Sequence, residues 1–436
     1  MANEYALSYP RVAERGLLPV LSFIGLLLLI YVGLDAFSPP PEVTQYGGVP
    51  EASHGDVLRQ SCYLSVAVLI GMLALQRYGL DAIRILPFSM LVLLAWCVAS
   101  ALWAPETTIV LRRAGLEIVL VVSLFLSVEI LGAERAFLIW RWLLAAILLV
   151  NFLSIPFIAA ARHGASEIDP GLVGDWRGLY GHKNMAGAVS ALTALVFLFT
   201  RNGQRNWIGV SVALASCVFL TMTHSKSSAG FLIIAGVCGL LYRLAWRDGL
   251  NRAILVLCGA ILAGGLAIFA LLNAAAIARA LEDPAEFTGR GEIWAAELRY
   301  IADHPLLGAG FGTFTDTKAQ SPLHNYVSGS WVDAVSHGHN GYLQVLVTIG
   351  GIGFVLAMLA LVAAPMRRLW ALDLRGDGFK PMLMAIFVFA VAHNFMESDF
   401  LEGDGVTWCA MLLVIAALSA MARGNRNLNE TLSRNG

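Results

Sequence analysis

Charge is scarce in this chain. Asp, Glu, Lys and Arg make up 14% of its 436 residues, against 58% apolar residues and a mean hydropathy of +0.71. So few polar side chains cannot clothe a soluble globule of this length. A net charge of -1 leaves no basic surface for nucleic acid. The six cysteines (Cys62, Cys97, Cys217, Cys238, Cys258 and Cys409) all fall in apolar stretches with no CxxC, which argues against disulfides and a cysteine metal site. HExxH is missing too, and no internal repeat is visible. The first apolar run is too long for a signal-peptide core and lacks a small-residue cleavage site, so it is expected to be an uncleaved anchor.

What the chain does have is long apolar runs. Twelve read as membrane helices: residues 16–35, 61–76, 85–103, 114–131, 137–160, 184–200, 207–223, 227–246, 253–272, 340–364, 381–396 and 406–421. Each is near the ~20 residues that cross the hydrocarbon core. An even number puts both termini on one side. With that side cytoplasmic, the inner segments carry 17 Lys/Arg and 8 acids and the outer ones 11 and 19, as the positive-inside rule requires. The expectation is an all-α polytopic membrane protein, one integral domain over residues 1–436, with both termini in the cytoplasm. Most connections are short. The exception is an outer loop at 273–339, between the ninth and tenth helices. Its GRGEIWAAELRYIADH segment sets Ile293, Trp294, Leu298 and Ile301 at helical spacing, predicting an amphipathic helix. PLLGAGFGTF and SPLHNYVSGSW, rich in Gly, Ser and aromatics, predict an irregular, partly mobile lid.

The fourth, sixth, eighth and tenth helices run inward, so their N-termini face out. Each opens on a cationic or protonatable group: Arg112 and Arg113 in LRRAG, Lys183 in GHKNMAG, Lys226 in HSKSSAG, His337 and His339 in HGHNGY. A helix N-terminus flanked by Gly, Ser and Asn and topped by a cation is an anion site, and four converging ones suit a pyrophosphate. Arg290, between two glycines in TGRGEIW, has the same arrangement. Interfacial anchoring is the plain alternative for any single Lys or Arg, and an Arg113–Glu117 pair four residues apart is another. Histidine can take a proton from a hydroxyl near neutral pH, which singles out His339, with His337 beside it. His324 adds a third imidazole, without metal-ligand spacing. Glu397 lies four residues after His393 and can share its face, while Glu292 and Arg299 read as a solvated face. The twelfth helix opens on acids in ESDFLEGDG, with no base.

The order WAPETTIVLRRAG, RGLYGHKNMAG, HSKSSAG, TGRGEIW with HPLLGAGFGTF, then HGHNGYLQVLVTIGGIG resembles the O-antigen ligase and Wzy-type polymerase superfamily, and more closely its exopolysaccharide polymerase branch. The resemblance implies a GT-C-like glycosyltransferase at the periplasmic face of a bacterial inner membrane, working on undecaprenyl-pyrophosphate-linked oligosaccharide. It implies an inverting transfer without a bound metal or cofactor, to a growing glycan or to an acceptor such as lipid A core, in contact with membrane lipids and with chain-length-regulating and flippase partners. It places His339 on the catalytic base and Arg290 with Arg113 or Arg112 on the pyrophosphate arginines. Lys226 falls where ligases commonly carry arginine, and Lys183 joins the cations. Asn340, Asn184, Arg177, Glu397, Trp331 and Tyr326 are assigned to the acceptor or to support, the two aromatics as stacking platforms. A twelve-helix transporter is the rival reading, although its ionisable residues would lie nearer mid-membrane.

Overall fold

The computed structural model describes residues 16–38, 57–164, 170–199, 207–245, 290–315, 321–327, 338–371 and 378–435. The expected ninth helix, His337 and Trp331 lie outside them. Among the described residues all regular structure is helical, apart from one isolated β-bridge between Arg162 and Trp176. The helices are α1 (Leu17–Tyr31), α2 (Val57–Tyr78), α3 (Phe88–Ala99), α4 (Thr107–Leu131), α5 (Ala133–Phe157), α6 (Lys183–Leu198), α7 (Trp207–Met222), α8 (Lys226–Ala245), α9 (Arg290–Asp303), α10 (Gly341–Ala357), α11 (Phe379–His393) and α12 (Val406–Asn435). A π-helical turn, Met358–Ala363, carries α10 on into Ala364–Ala371. Among the described residues six helical stretches are long and apolar enough to span a membrane, and α1, α3, α6, α7 and α11 are shorter apolar helices. This is the architecture of a polytopic membrane protein.

Burial separates centre from rim. Residues 406–419 of α12 and 186–197 of α6 are buried on every side, and α11 nearly so, which is how an all-round apolar helix behaves at the middle of a bundle. α6 reads AGAVSALTAL there, and its small residues let neighbours approach. A Cβ on Gly187 would stand 2.6 Å from that of Ser225, the residue preceding α8. α8 packs most extensively on α11, α7 on α6, and α4 on α2 and α12. Glu117, buried in α4, accepts from Trp408 Nε1 at 2.8 Å and Gly403 N at 3.1 Å. Those partners stand where the alternative reading put an Arg113–Glu117 pair.

The loop after α9 is irregular, as expected, but its first part is docked rather than lid-like. Gly350 interrupts α10 with φ +70°, which leaves nearby backbone groups without their helical partners. Ala309 N donates to Val347 O and Gly310 N to Thr348 O, both at 2.8 Å, while Trp96 Nε1 donates to Ile349 O at 3.0 Å. In return Gly351 N donates to Pro305 O at 2.9 Å and Ile352 N to Leu306 O at 3.3 Å. The fit depends on glycine, because a Cβ on Gly350 would lie 2.2 Å from Leu306 O. Tyr300, Phe314, Leu323 and Val347 close a small core over this joint.

α9 forms where expected, with a shifted buried face. Ile293, Trp294, Ala296, Glu297 and Tyr300 are buried, whereas Leu298 is 51% exposed. Glu292 and Arg299 are exposed, as a solvated face should be.

Candidate functional site

Three helix starts and one helix end meet around a single carboxylate. α11 stops at His393, three residues before the expected end, and Glu397 N donates to His393 O at 3.0 Å across the turn that follows. Glu397 Oε1 accepts from Asn184 Nδ2 at 2.8 Å, at the start of α6, and from Arg290 Nη2 at 3.0 Å, at the start of α9. Oε2 lies 3.0 Å from His339 Nδ1, just before α10. Arg290 Nη1 also donates to Met396 O. Burial alone would raise the Glu397 carboxyl, but the His339 hydrogen bond and the Arg290 charge outweigh it and hold the carboxyl at about 2. Glu397 is therefore ionised at any physiological pH.

The backbone fixes this geometry. His339 has φ +53°, a left-handed conformation uncommon for a residue with a Cβ. Asn340 caps α10, its Oδ1 accepting from Tyr342 N at 3.0 Å and Leu343 N at 3.1 Å. Gly341 N donates to Asn394 O at 2.8 Å and Glu397 O at 3.0 Å, and Asn340 N to Ser398 Oγ at 3.1 Å. The start of α10 and the turn after α11 are thus one unit. Asn394 is the reason position 341 is glycine, since a Cβ there would lie 1.8 Å from Asn394 Oδ1.

Two further networks flank this unit. On the α8 side, Asp399 Oδ2 lies 2.6 Å from His393 Nδ1, His393 Nε2 lies 3.1 Å from Ser228 Oγ, and Ser225 Oγ donates to Ser228 Oγ at 3.0 Å. On the α6 side, Asp175 takes Lys183 Nζ at 2.6 Å and His224 Nδ1 at 2.5 Å. His163 Nε2 accepts from Lys183 N at 3.1 Å, and His182 caps α6. Arg177 is buried and donates from Nε to Ala160 O at 2.8 Å and from Nη1 to Gly181 O at 2.9 Å, fastening the approach to His182.

The sequence-selected residues therefore divide. Glu397, His339, Arg290, Asn184 and Asn340 come together, with Lys183 adjacent in the chain to Asn184. Lys226 is the first residue of α8, as expected, and is exposed beside the buried Ser225 and Ser228. The arginines of LRRAG do not open their helix. α4 begins at Thr107, so Arg112 and Arg113 lie in its second turn, away from the dipole end. Arg112 is exposed, and Arg113 Nη1 donates to Gly312 O of the docked loop at 2.6 Å. Tyr326 bonds Asp303 at 2.8 Å and packs edge-on to Tyr300, at the end of α9 about 20 Å from Arg290 by helical rise. That position does not suit a stacking platform beside His339.

Sequence reasoning missed Asp175, His163, His182, His224, Asp399 and the Ser225–Ser228 pair. The acid-rich ESDFLEGDG segment carries no base of its own, as its sequence says. Its acids draw their partners from elsewhere: Asp399 from His393, Asp404 from Arg59 and Tyr63, Glu397 from Arg290 and His339. Glu297 was a further omission. Buried in α9 with neither carboxylate oxygen hydrogen-bonded among the described residues, it is pushed by burial up to about 8. Its Oε1 occupies the space where a Cβ on Gly338 would stand, next in the chain to His339.

Residues 209–358, about a third of the chain, match the family model Wzy_C, described as O-antigen ligase. The matched stretch runs from α7 to the π-helical turn of α10 and includes Lys226, Arg290, His339 and Asn340. It supports the O-antigen ligase and Wzy superfamily, the resemblance drawn from the motifs. No curated protein matches the chain.

Proposed function

We propose, from the similarity of residues 209–358 to the O-antigen ligase family as premise, that the chain is an inverting glycosyltransferase. On this reading it polymerises undecaprenyl-pyrophosphate-linked repeat units at the periplasmic face of the inner membrane. The observation that carries the reading is the Glu397–His339 pair: an ionised carboxylate bonded to Nδ1 of an imidazole in a strained backbone, with Arg290 on the other carboxylate oxygen.

With Nδ1 bonded to Glu397, Nε2 is the ring nitrogen that takes the proton of the acceptor hydroxyl. The hydroxyl oxygen attacks the anomeric carbon from the face opposite the pyrophosphate, so a C–O bond forms as the C–O bond to phosphate breaks, and the configuration inverts. The electron pair leaves with undecaprenyl pyrophosphate. Arg290 turns from Met396 O and Glu397 towards the phosphates, and Lys226 at the start of α8 adds a point charge. Glu397 stabilises the imidazolium until its proton returns to solvent. Arg113 acts indirectly, by holding the Gly312 loop.

The test is product size. Purified protein in nanodiscs is given the lipid-linked repeat unit of its own host, without divalent metal. A ladder of lengthened lipid-linked chains supports polymerisation. The description of the matched family favours the second reading, a ligase: single transfer, only once a lipid A core or another acceptor is added, would establish it. No transfer to either acceptor would contradict both.

A further inference from the structure

His182 is unassigned by any motif and stands at the rim of the site. Its Nδ1 accepts the amide hydrogen of Asn184 at 3.2 Å. In the neutral ring the proton is then on Nε2. The residue is exposed at the rim while its ring packs edge-on to His163 with centroids 5.4 Å apart, and among the described residues nothing bonds its Nε2. Two residues on, Asn184 Nδ2 reaches Glu397 Oε1, so His182 borders the carboxylate that holds His339. Desolvation, then His163, push His182 down to about 4, with His339 and Lys183 adding to the shift and Glu397 opposing it. The ring stays an uncharged donor across the physiological range.

Charge is sorted around the site. On the α6 side Lys183 is balanced by Asp175 and the Arg177 guanidinium is buried on backbone carbonyls, so the side chains there nearest Glu397, Asn184 and His182, are dipolar. Arg290 and Lys226 are on α9 and α8. An anion is drawn to the second side, and a polyhydroxyl group, which needs directed donors and no net charge, fits the first. We propose that His182 Nε2–H donates to a ring hydroxyl of the acceptor sugar, next to the hydroxyl that His339 deprotonates, and so selects acceptors by the orientation of that neighbour. This rests on the glycosyl-transfer reading above.

His182→Asn keeps a capping oxygen for Asn184 N but is too short to place a donor where Nε2 stands; His182→Ser does the same by another route. Binding is measured on the full chain in nanodiscs with two probes: the host's repeat-unit oligosaccharide released from its lipid, and undecaprenyl pyrophosphate. Both variants are expected to keep the wild-type melting temperature, lose about tenfold in oligosaccharide affinity, and hold undecaprenyl pyrophosphate unchanged. Unchanged oligosaccharide affinity overturns the proposal, as does a loss confined to undecaprenyl pyrophosphate. A wild-type chain that binds neither probe fails the transfer reading itself, and the proposal with it.

Discussion

The two halves of α10 are held in different ways. At its middle, the break at Gly350 is satisfied almost wholly by backbone: the Pro305–Gly310 segment gives and receives the bonds the helix lost, and Trp96 closes the last carbonyl. At its start, the backbone bonds of Gly341 and the Asn340 cap are joined by charged side chains that bond one another: His339 to Glu397, and Glu397 to Arg290. Backbone pairing has no better partner to find and makes a support. Side-chain ion pairs can exchange partners, so on the proposed reading they make a site that substrate phosphates and hydroxyls can enter. The strained φ of His339 belongs to the second kind, because it aims a ring rather than completing a ladder.

Breaking the support should have the largest effect. Gly350→Ala sets a Cβ against Leu306 O in a left-handed backbone, and the expected loss is at least about 3 kcal/mol, seen as failure to accumulate folded protein or as a steep fall in melting temperature. A wild-type melting curve would show that the joint is not a fixed support.

Glu297 probes the boundary between the two halves. Its folded-state value of about 8 lies above the ordinary 4.5, so between those pH values the folded chain holds a proton that the unfolded chain has lost. Stability from this group is therefore full below about 4.5, falls by about 1.4 kcal/mol per pH unit up to about 8, and is level above it. Glu297→Gln should lose that slope, so the melting temperature of the variant relative to wild type should rise between pH 5 and 8. Parallel profiles would mean that the carboxyl is not buried as described.

The smallest effect concerns the exposed cation at the start of α8. Lys226→Arg restores a bidentate fork for phosphate and should raise undecaprenyl-pyrophosphate affinity by a few fold, read by binding titration with melting temperature unchanged. A loss of affinity would place Lys226 outside the phosphate site.

Much of this was legible in the sequence because apolar runs and glycine-flanked cations are local signals. α6, α8 and α10 open where GHKN, HSKSS and HGHN placed them, and α9 follows TGRGEIW. The start of α4 was misplaced because the charged pair Arg112–Arg113 masked the helix, which in fact begins five residues before Arg112. The site's centre was only half visible. Glu397 drew notice through its spacing from His393, yet the turn that ends α11 gives it different partners, and no periodicity encodes a partner more than 50 residues away. Asp175 and His182 lie in irregular backbone where spacing carries no information, and the Gly350 break shows in the sequence only as one glycine among the three of IGGIG.

The central claim is that His339, held by Glu397, removes the acceptor proton. It is tested most directly by the initial rate of bond formation from lipid-linked repeat unit in purified His339→Ala and Glu397→Gln proteins, each checked for wild-type melting temperature and undecaprenyl-pyrophosphate binding. The account predicts a rate loss of about 10²–10⁴-fold for His339→Ala with binding intact, and a smaller loss for Glu397→Gln, which leaves the ring in place without its anionic partner. A folded His339→Ala protein that extends chains at the wild-type rate would contradict it.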